Sequence, residues 1–286
     1  GLVLKGIFIK INYLLLFPLN RTGHKLKQLN LVLVTDFKKM KKGIFLMFFI
    51  VLVACNSENA PDCIRSEGAI IQTEINISSF SRILVYNNIQ LFITEGPEQK
   101  VLVETGENIF NDIEISTNGD LLILTNNINC NFIRDYGLTK IYITSPNVSE
   151  ITNSSELTVT SLGVLNYPNL DLISDDFINN EYYTNGDFDL ELNTQNLKII
   201  TNGFSNFFLK GAVFNANIGL YAGDSRVEAS DLIIQNLNIF HRSTNKMIVN
   251  PQQSIIGEIR SLGDVISKNI PPVVEVTEYY TGTLIF

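Results

Sequence analysis

Ile200-Thr201-Asn202-Gly203, Leu220-Tyr221-Ala222-Gly223, Phe240-His241-Arg242-Ser243 and Arg260-Ser261-Leu262-Gly263 fall under one another when residues 196–286 are written in rows of 20. The small residue closing each quartet marks a turn. Ahead of it Ile199, Gly219, Ile239 and Ile259 share a column; behind it Phe207, Val227 and Met247 share a second, and Val213, Ile233 and Val273 a third that only Gln253 breaks. A fixed period of this size means stacked structural units, none of which can bury its apolar face alone. Leucine-rich repeats have such a period, but their regular leucines are missing here. The segments between turns are rich in Ile, Val, Phe, Thr and Asn with hardly an Ala, which is strand chemistry. The expectation is an all-β solenoid with coils of about 20 residues, each strand pairing with its equivalent about 4.8 Å away.

Upstream of the repeat, the first Met is Met40, and residues 1–39 read as upstream sequence that is not part of the working protein. Met40-Lys41-Lys42, the apolar run 43–54 and Cys55 then form a positive segment, a short hydrophobic core and a cysteine. That core is too short to span a bilayer of roughly 30 Å as a helix, so residues 40–54 read as a signal peptide. Leu52-Val53-Ala54-Cys55 resembles the lipobox of bacterial lipoproteins, in which the cysteine is acylated and becomes the mature N-terminus; an ordinary signal peptide with a chance cysteine is the alternative. Residues 1–54 hold 9 of the 21 Lys+Arg and one of the 29 Asp+Glu, which leaves 12 against 28 and a net charge of −16 beyond them. So acidic a chain repels phosphate backbones and anionic headgroups, which argues against nucleic acid as a partner and makes lipid, not charge, the means of membrane attachment.

Residues 55–62 are short and polar, with Pro61, and read as a tether; the domain is expected to run from Cys63 to Phe286 as one unit. From residue 70 to 145 apolar residues alternate in short runs, among them Ile83/Val85, Ile89/Leu91/Ile93, Val101/Val103 and Leu122/Leu124, each the signature of a half-buried strand. Asn87-Asn88 and Asn118-Gly119-Asp120 sit between runs, and Asn118-Gly119 is the strongest hairpin signal. Pro146-Asn147-Val148 returns as Pro168-Asn169-Leu170 and as Gln195-Asn196-Leu197, so the repeat begins before residue 196 with coils that carry loops. The longest loop, around 175–187, is the first candidate for a contact surface: Asp175, Asp176, Tyr182, Tyr183 and Asp187.

The residues also resemble a known family, the putative auto-transporter adhesins with a head GIN domain, found in Gram-negative cell envelopes. Phe80-Ser81-Arg82-Ile83-Leu84-Val85, Ile93-Thr94-Glu95-Gly96 with Gln99-Lys100-Val101, and Leu262-Gly263-Asp264-Val265-Ile266 with Pro271-Pro272-Val273 carry the resemblance through their order and spacing. It implies a single-stranded right-handed parallel β-helix, an adhesive or structural role in the outer membrane, and no catalytic residues. The family's usual Gly-Ser-Gly-Asp turns are replaced here at Asn153-Ser154-Ser155 and Ser243-Thr244-Asn245.

Catalytic constellations are scarce. Beyond residue 54 the sole histidine is His241, read as a solvated turn residue beside Arg242. Asp175-Asp176, Asp187/Asp189, Asp224 and Asp264 recur near turns, where aspartate caps local backbone; paired, they would suit a carbohydrate-active enzyme, and clustered, calcium. Tyr136, Tyr182-Tyr183, Tyr221 and Tyr279-Tyr280 would make a strip that stacks on sugar faces, or ordinary strand surface. The reading is a non-enzymatic, lipid-anchored envelope module without cofactor or metal, partnered by the membrane through its lipid and by a glycan or another envelope protein. Its rival is a glycoside hydrolase or lyase working through turn carboxylates.

With Cys55 acylated, Cys63 and Cys130 remain, and an even remainder in an exported chain points to a disulfide; a metal site is the weaker alternative, since no histidine lies near. Closing a loop of roughly 70 residues would stabilise the fold by about 4 kcal/mol. Mass mapping of non-reduced peptides is expected to find the two joined, whereas free thiols recovered from oxidising medium would refute the pairing.

Overall fold

A computed structural model describes residues 66–128 and 138–286. Cys55, Cys63, Cys130 and Tyr136, with the segments assigned to 1–39, 40–54 and 55–62, lie outside the described residues. The strands in chain order are β1 (Ile70–Ile75), β2 (Arg82–Tyr86), β3 (Ile89–Glu95), β4 (Lys100–Gly106), β5 (Ile113–Asn118), β6 (Leu121–Asn126), β7 (Thr139–Ser145), β8 (Glu150–Ser154) and β9 (Val159–Leu165). They continue as β10 (Asn169–Ser174), β11 (Phe188–Thr201), β12 (Asn206–Leu220), β13 (Arg226–His241), β14 (Met247–Ile259), β15 (Val265–Ser267), β16 (Val273–Glu278) and β17 (Leu284–Ile285). Phe110–Asp112 is the one helical piece among the described residues, a single 3-10 turn.

The 17 strands of the described residues join one mixed sheet, curled into a half-barrel. From β8 onward every pairing is parallel, and two ladders run side by side. One passes through β2, β8, β10 and the second halves of β11 to β14 to reach β16. The other passes through β7, β3, β9 and the first halves of β11 to β14 to β15 and β17. The expected purely parallel β-helix is therefore corrected at the amino-terminal end, where β1 pairs antiparallel with β4, β4 with β7, and β5 with β6. The cause is local. Asn118-Gly119 closes a tight hairpin with Gly119 at φ 63°, and a tight hairpin reverses the chain instead of advancing it by a coil.

Inside the curl, aliphatic side chains stack from strand to strand. Leu172, Ile199, Ile218 and Ile239 form one fully buried file, while Phe188 lies flat on Phe207 with ring centroids 4.9 Å apart. The uniform step of 20 is corrected as well. Along this file the partners are Leu172, Ile199, Ile218, Ile239, Gly257 and Val276, giving steps of 27, 19, 21, 18 and 19 residues. Ile259 consequently stands beside His241, not Ile239. Phe207, Val227 and Met247 do share a file. Val213, however, pairs with Ile234, because a bulge between Phe208 and Lys210 shifts the register by one, and Ile233 turns outward, 40% exposed. Gly257, at φ 128°, fits beside Ile239 only because it lacks a side chain: a Cβ there would sit 2.0 Å from the Ile239 carbonyl oxygen.

His241, expected in a solvated turn, is buried instead, because β13 runs on through it and alternation puts it on the inward side with Leu237 and Ile239. It closes β13 on the inward side, fully buried, and neither ring nitrogen reaches a hydrogen-bond partner among the described residues. Burial pushes its pKa down to about 4, and the nearby backbone of Gly263 and Asn245 and the Asp264 charge oppose that only in part.

Two expectations follow from this core. Ile239 is buried and Asn238 exposed. Ile239→Asp should therefore cost several kcal/mol and abolish cooperative thermal unfolding, while Asn238→Asp should be nearly neutral. His241 stays neutral in the folded chain while the unfolded chain takes up a proton below about pH 6.5, so its contribution is complete above that pH and lost as pH falls toward 4. Urea unfolding should lose about 2 kcal/mol of stability from this residue between pH 7 and about pH 5, a loss absent in His241→Leu; an unchanged slope in that variant would contradict the assignment.

Candidate functional site

Strand alternation that sends Ala216 and Ile218 inward sends Asn215 and Asn217 outward, and the parallel register repeats this on each neighbouring strand. The outcome is a file of like residues on the outer face. Asn196 Nδ2 donates to Asn169 Oδ1 at 2.8 Å, Asn215 to Asn196 at 2.9 Å, Asn236 to Asn215 at 3.1 Å, and the Ser254 hydroxyl to Asn236 Oδ1 at 3.2 Å. Asparagine disfavours strands in isolation, but stacked amides satisfy one another along such a file.

A second outward file runs alongside: Arg82, Glu150, Asp171, Lys198, Asn217, Asn238 and Ile256. Arg82 pairs with Asp120 at 2.8 Å and stands 3.8 Å from Glu150, while Lys198 stands 3.7 Å from Asp171. Burial raises the Glu150 pKa, with the Arg82 charge opposing it. Beyond this quartet the file is uncharged, and the side chains of Asn217 and Asn238 make no hydrogen bond among the described residues. The two files line a groove of about 430 Å³ from Asn169 to Ser254 and Ile256.

Aromatic rings border the groove on the side toward the strand ends. Gly219 leaves room for the Tyr221 ring to fold back over the strand, since a Cβ would lie 2.5 Å from that ring. Tyr221 stacks on Phe240 at 5.1 Å and receives the edge of Phe177 at 5.8 Å. Arg260 lies 4.0 Å from the centre of the Tyr279 ring and is also paired with Glu258. Phe177, Tyr221 and Tyr279 keep exposed faces.

The sequence candidates in the 175–187 loop take separate positions. Asp175 is buried, accepts the Phe177 amide at 3.1 Å, and has its pKa raised by burial. Asp176 accepts from Asn202 Nδ2, and Asp187 from the Asn206 amide at 2.7 Å. Tyr182 meets the Tyr86 ring at 5.4 Å, and the half-exposed Tyr183 donates its amide to the Ser154 hydroxyl at 2.9 Å. The loop borders the aromatic strip through Phe177. Asp224 accepts from the Thr244 hydroxyl at 2.5 Å and Asp264 from the Thr283 amide at 2.9 Å, the work of turn caps. Among the described residues no group of three or more His, Cys, Asp or Glu is placed to hold a metal ion. The asparagine files, Phe177 and Phe240 are not evident from the sequence; the recurring Asn169 and Asn196 are visible there, but only as marks of the repeat spacing.

Comparison with known proteins fits this architecture. The chain resembles the crystal structure of a putative adhesin from Bacteroides fragilis NCTC 9343 with a TM-score of 0.67 at 20% identity, over 76% of this chain and 96% of that one. A putative lipid binding protein from Parabacteroides distasonis ATCC 8503 matches at 0.53 and 15%, over 77% and 98%. A putative adhesin from Parabacteroides merdae ATCC 43184 matches at 0.54 and 14%, over 77% and 96%. At these identities the likeness speaks for the fold alone. No curated protein matches the chain. A family model covers residues 79–271, and by that match the chain belongs to the family described as putative auto-transporter adhesin, head GIN domain.

Proposed function

We propose that this chain is a non-enzymatic adhesion module of the cell envelope, held at the outer membrane by lipid on Cys55. In this reading its coils wind as a right-handed single-stranded β-helix whose amino-terminal end carries the antiparallel strands. The observation that carries the proposal is the outward groove, repeated strand by strand on a rigid sheet and open along its length. A face of this kind presents many weak, regularly spaced contacts, which suits attachment better than turnover. The carboxylates an enzyme would need are engaged elsewhere, in turn caps or in the Arg82–Glu150 and Lys198–Asp171 pairs. A lipid site of the kind named for the Parabacteroides distasonis protein would be enclosed, whereas this groove is open along its length. The loop 175–187, which holds Asp175, Asp176, Tyr182, Tyr183 and Asp187, forms a wall beside the contact face.

Two measurements test the reading. Cys55→Ser should leave the membrane fraction, and retention there would refute the lipid anchor. Cells carrying the chain should attach to mucin-coated glass or to one another, and Asn217→Arg with Asn238→Arg should reduce attachment several-fold at equal surface amounts. Equal attachment of that variant would refute the groove as the adhesive face.

A further inference from the structure

We infer that the groove takes an uncharged carbohydrate chain lying across the strands, one sugar ring over each coil; this deepens the adhesion reading and rests on it. Three features of the face converge on that ligand. The first is its hydrogen-bonding character. In the file through Asn169, Asn196, Asn215 and Asn236 each link takes one N–H and one carbonyl, which fixes the amides and leaves a second N–H free. Asn217 and Asn238, beside them, offer donor and acceptor together. Sugar hydroxyls both donate and accept and so match amides, whereas phosphate, sulfate and carboxylate groups accept only and call for cations.

Charge is the second feature. Lys198 and Arg82 are the cations of the two files, and each already faces a carboxylate, Asp171 and Glu150. With a surrounding chain of net −16, nothing in the groove recruits a polyanion. A peptide adding as a strand needs an open sheet edge, but this is a sheet face whose backbone groups are consumed by the ladders on either side.

The third feature is spacing and shape. Equivalent amides recur at the strand separation of about 4.8 Å, close to the length of one pyranose ring in a linear chain. Alongside, Phe177, Tyr221 and Tyr279 keep exposed ring surface suited to the C–H faces of sugars.

The test uses the full-length chain in detergent and linear di-, tetra- and hexasaccharides of neutral hexose and N-acetylhexosamine, with uronate and sulfated chains of the same lengths. Binding of the neutral chains is expected to strengthen about tenfold from disaccharide to tetrasaccharide and to level off once the groove is filled. Asn217→Leu with Asn238→Leu, and separately Tyr221→Ala, should each weaken it about fivefold or more. The thermal midpoint of the asparagine variant should be unchanged, because Asn217 and Asn238 are exposed. No binding of neutral chains, equal binding by the variants, or binding of the anionic chains alone would overturn the inference. Groove-dependent cell attachment that survives periodate oxidation of the target surface would sink the carbohydrate while leaving the adhesion module standing; attachment independent of the groove would remove both.

Discussion

Parallel hydrogen bonding between a strand and its equivalent one coil away is the constraint from which the rest follows. Once Ile199 is set opposite Ile218 and Ile218 opposite Ile239, every side chain on those strands is assigned to the core or to the outer face. The buried aliphatic file and the exposed asparagine file are two consequences of one register. Neither can be changed without the other, because a slip of a single residue would bury the amides and expose the isoleucines.

Much of this could be read in the sequence. Alternation located the strands between residues 70 and 145, Asn118-Gly119 gave its hairpin, and Phe207, Val227 and Met247 share a file as their spacing indicated. The uniform step failed where bulges intervene. Between Phe208 and Lys210, and again between Glu228 and Ile233, one strand takes extra residues that its partner does not, and later positions move with them. A period read by aligning letters is blind to such insertions when two of them compensate across neighbouring coils. The candidate site was hidden differently. Asparagine is a turn residue by habit, and only the folded register reveals that Asn169, Asn196, Asn215 and Asn236, separated by 27, 19 and 21 residues, stand in a row.

The distribution of charge along the outer face has the same origin. Arg82, Glu150, Asp171 and Lys198 come from four strands, yet the register sets them side by side with opposite signs adjacent at both ends. The two carboxylates meet in the middle, where burial and the Asp171 charge hold the Glu150 pKa up against the pull of Arg82. Partly exposed pairs of this kind contribute little to stability. Their effect is on the character of the surface, which passes from a charged end to a neutral amide end.

The asparagine file is also directional. Each Nδ2 points back toward the preceding coil and each carbonyl toward the next, from Asn169 through Asn236 to the Ser254 hydroxyl. Aligned amides polarise one another, and their dipoles add instead of cancelling. The face therefore has a head and a tail, so on the proposed reading a ligand whose two ends differ would lie along it in one sense only.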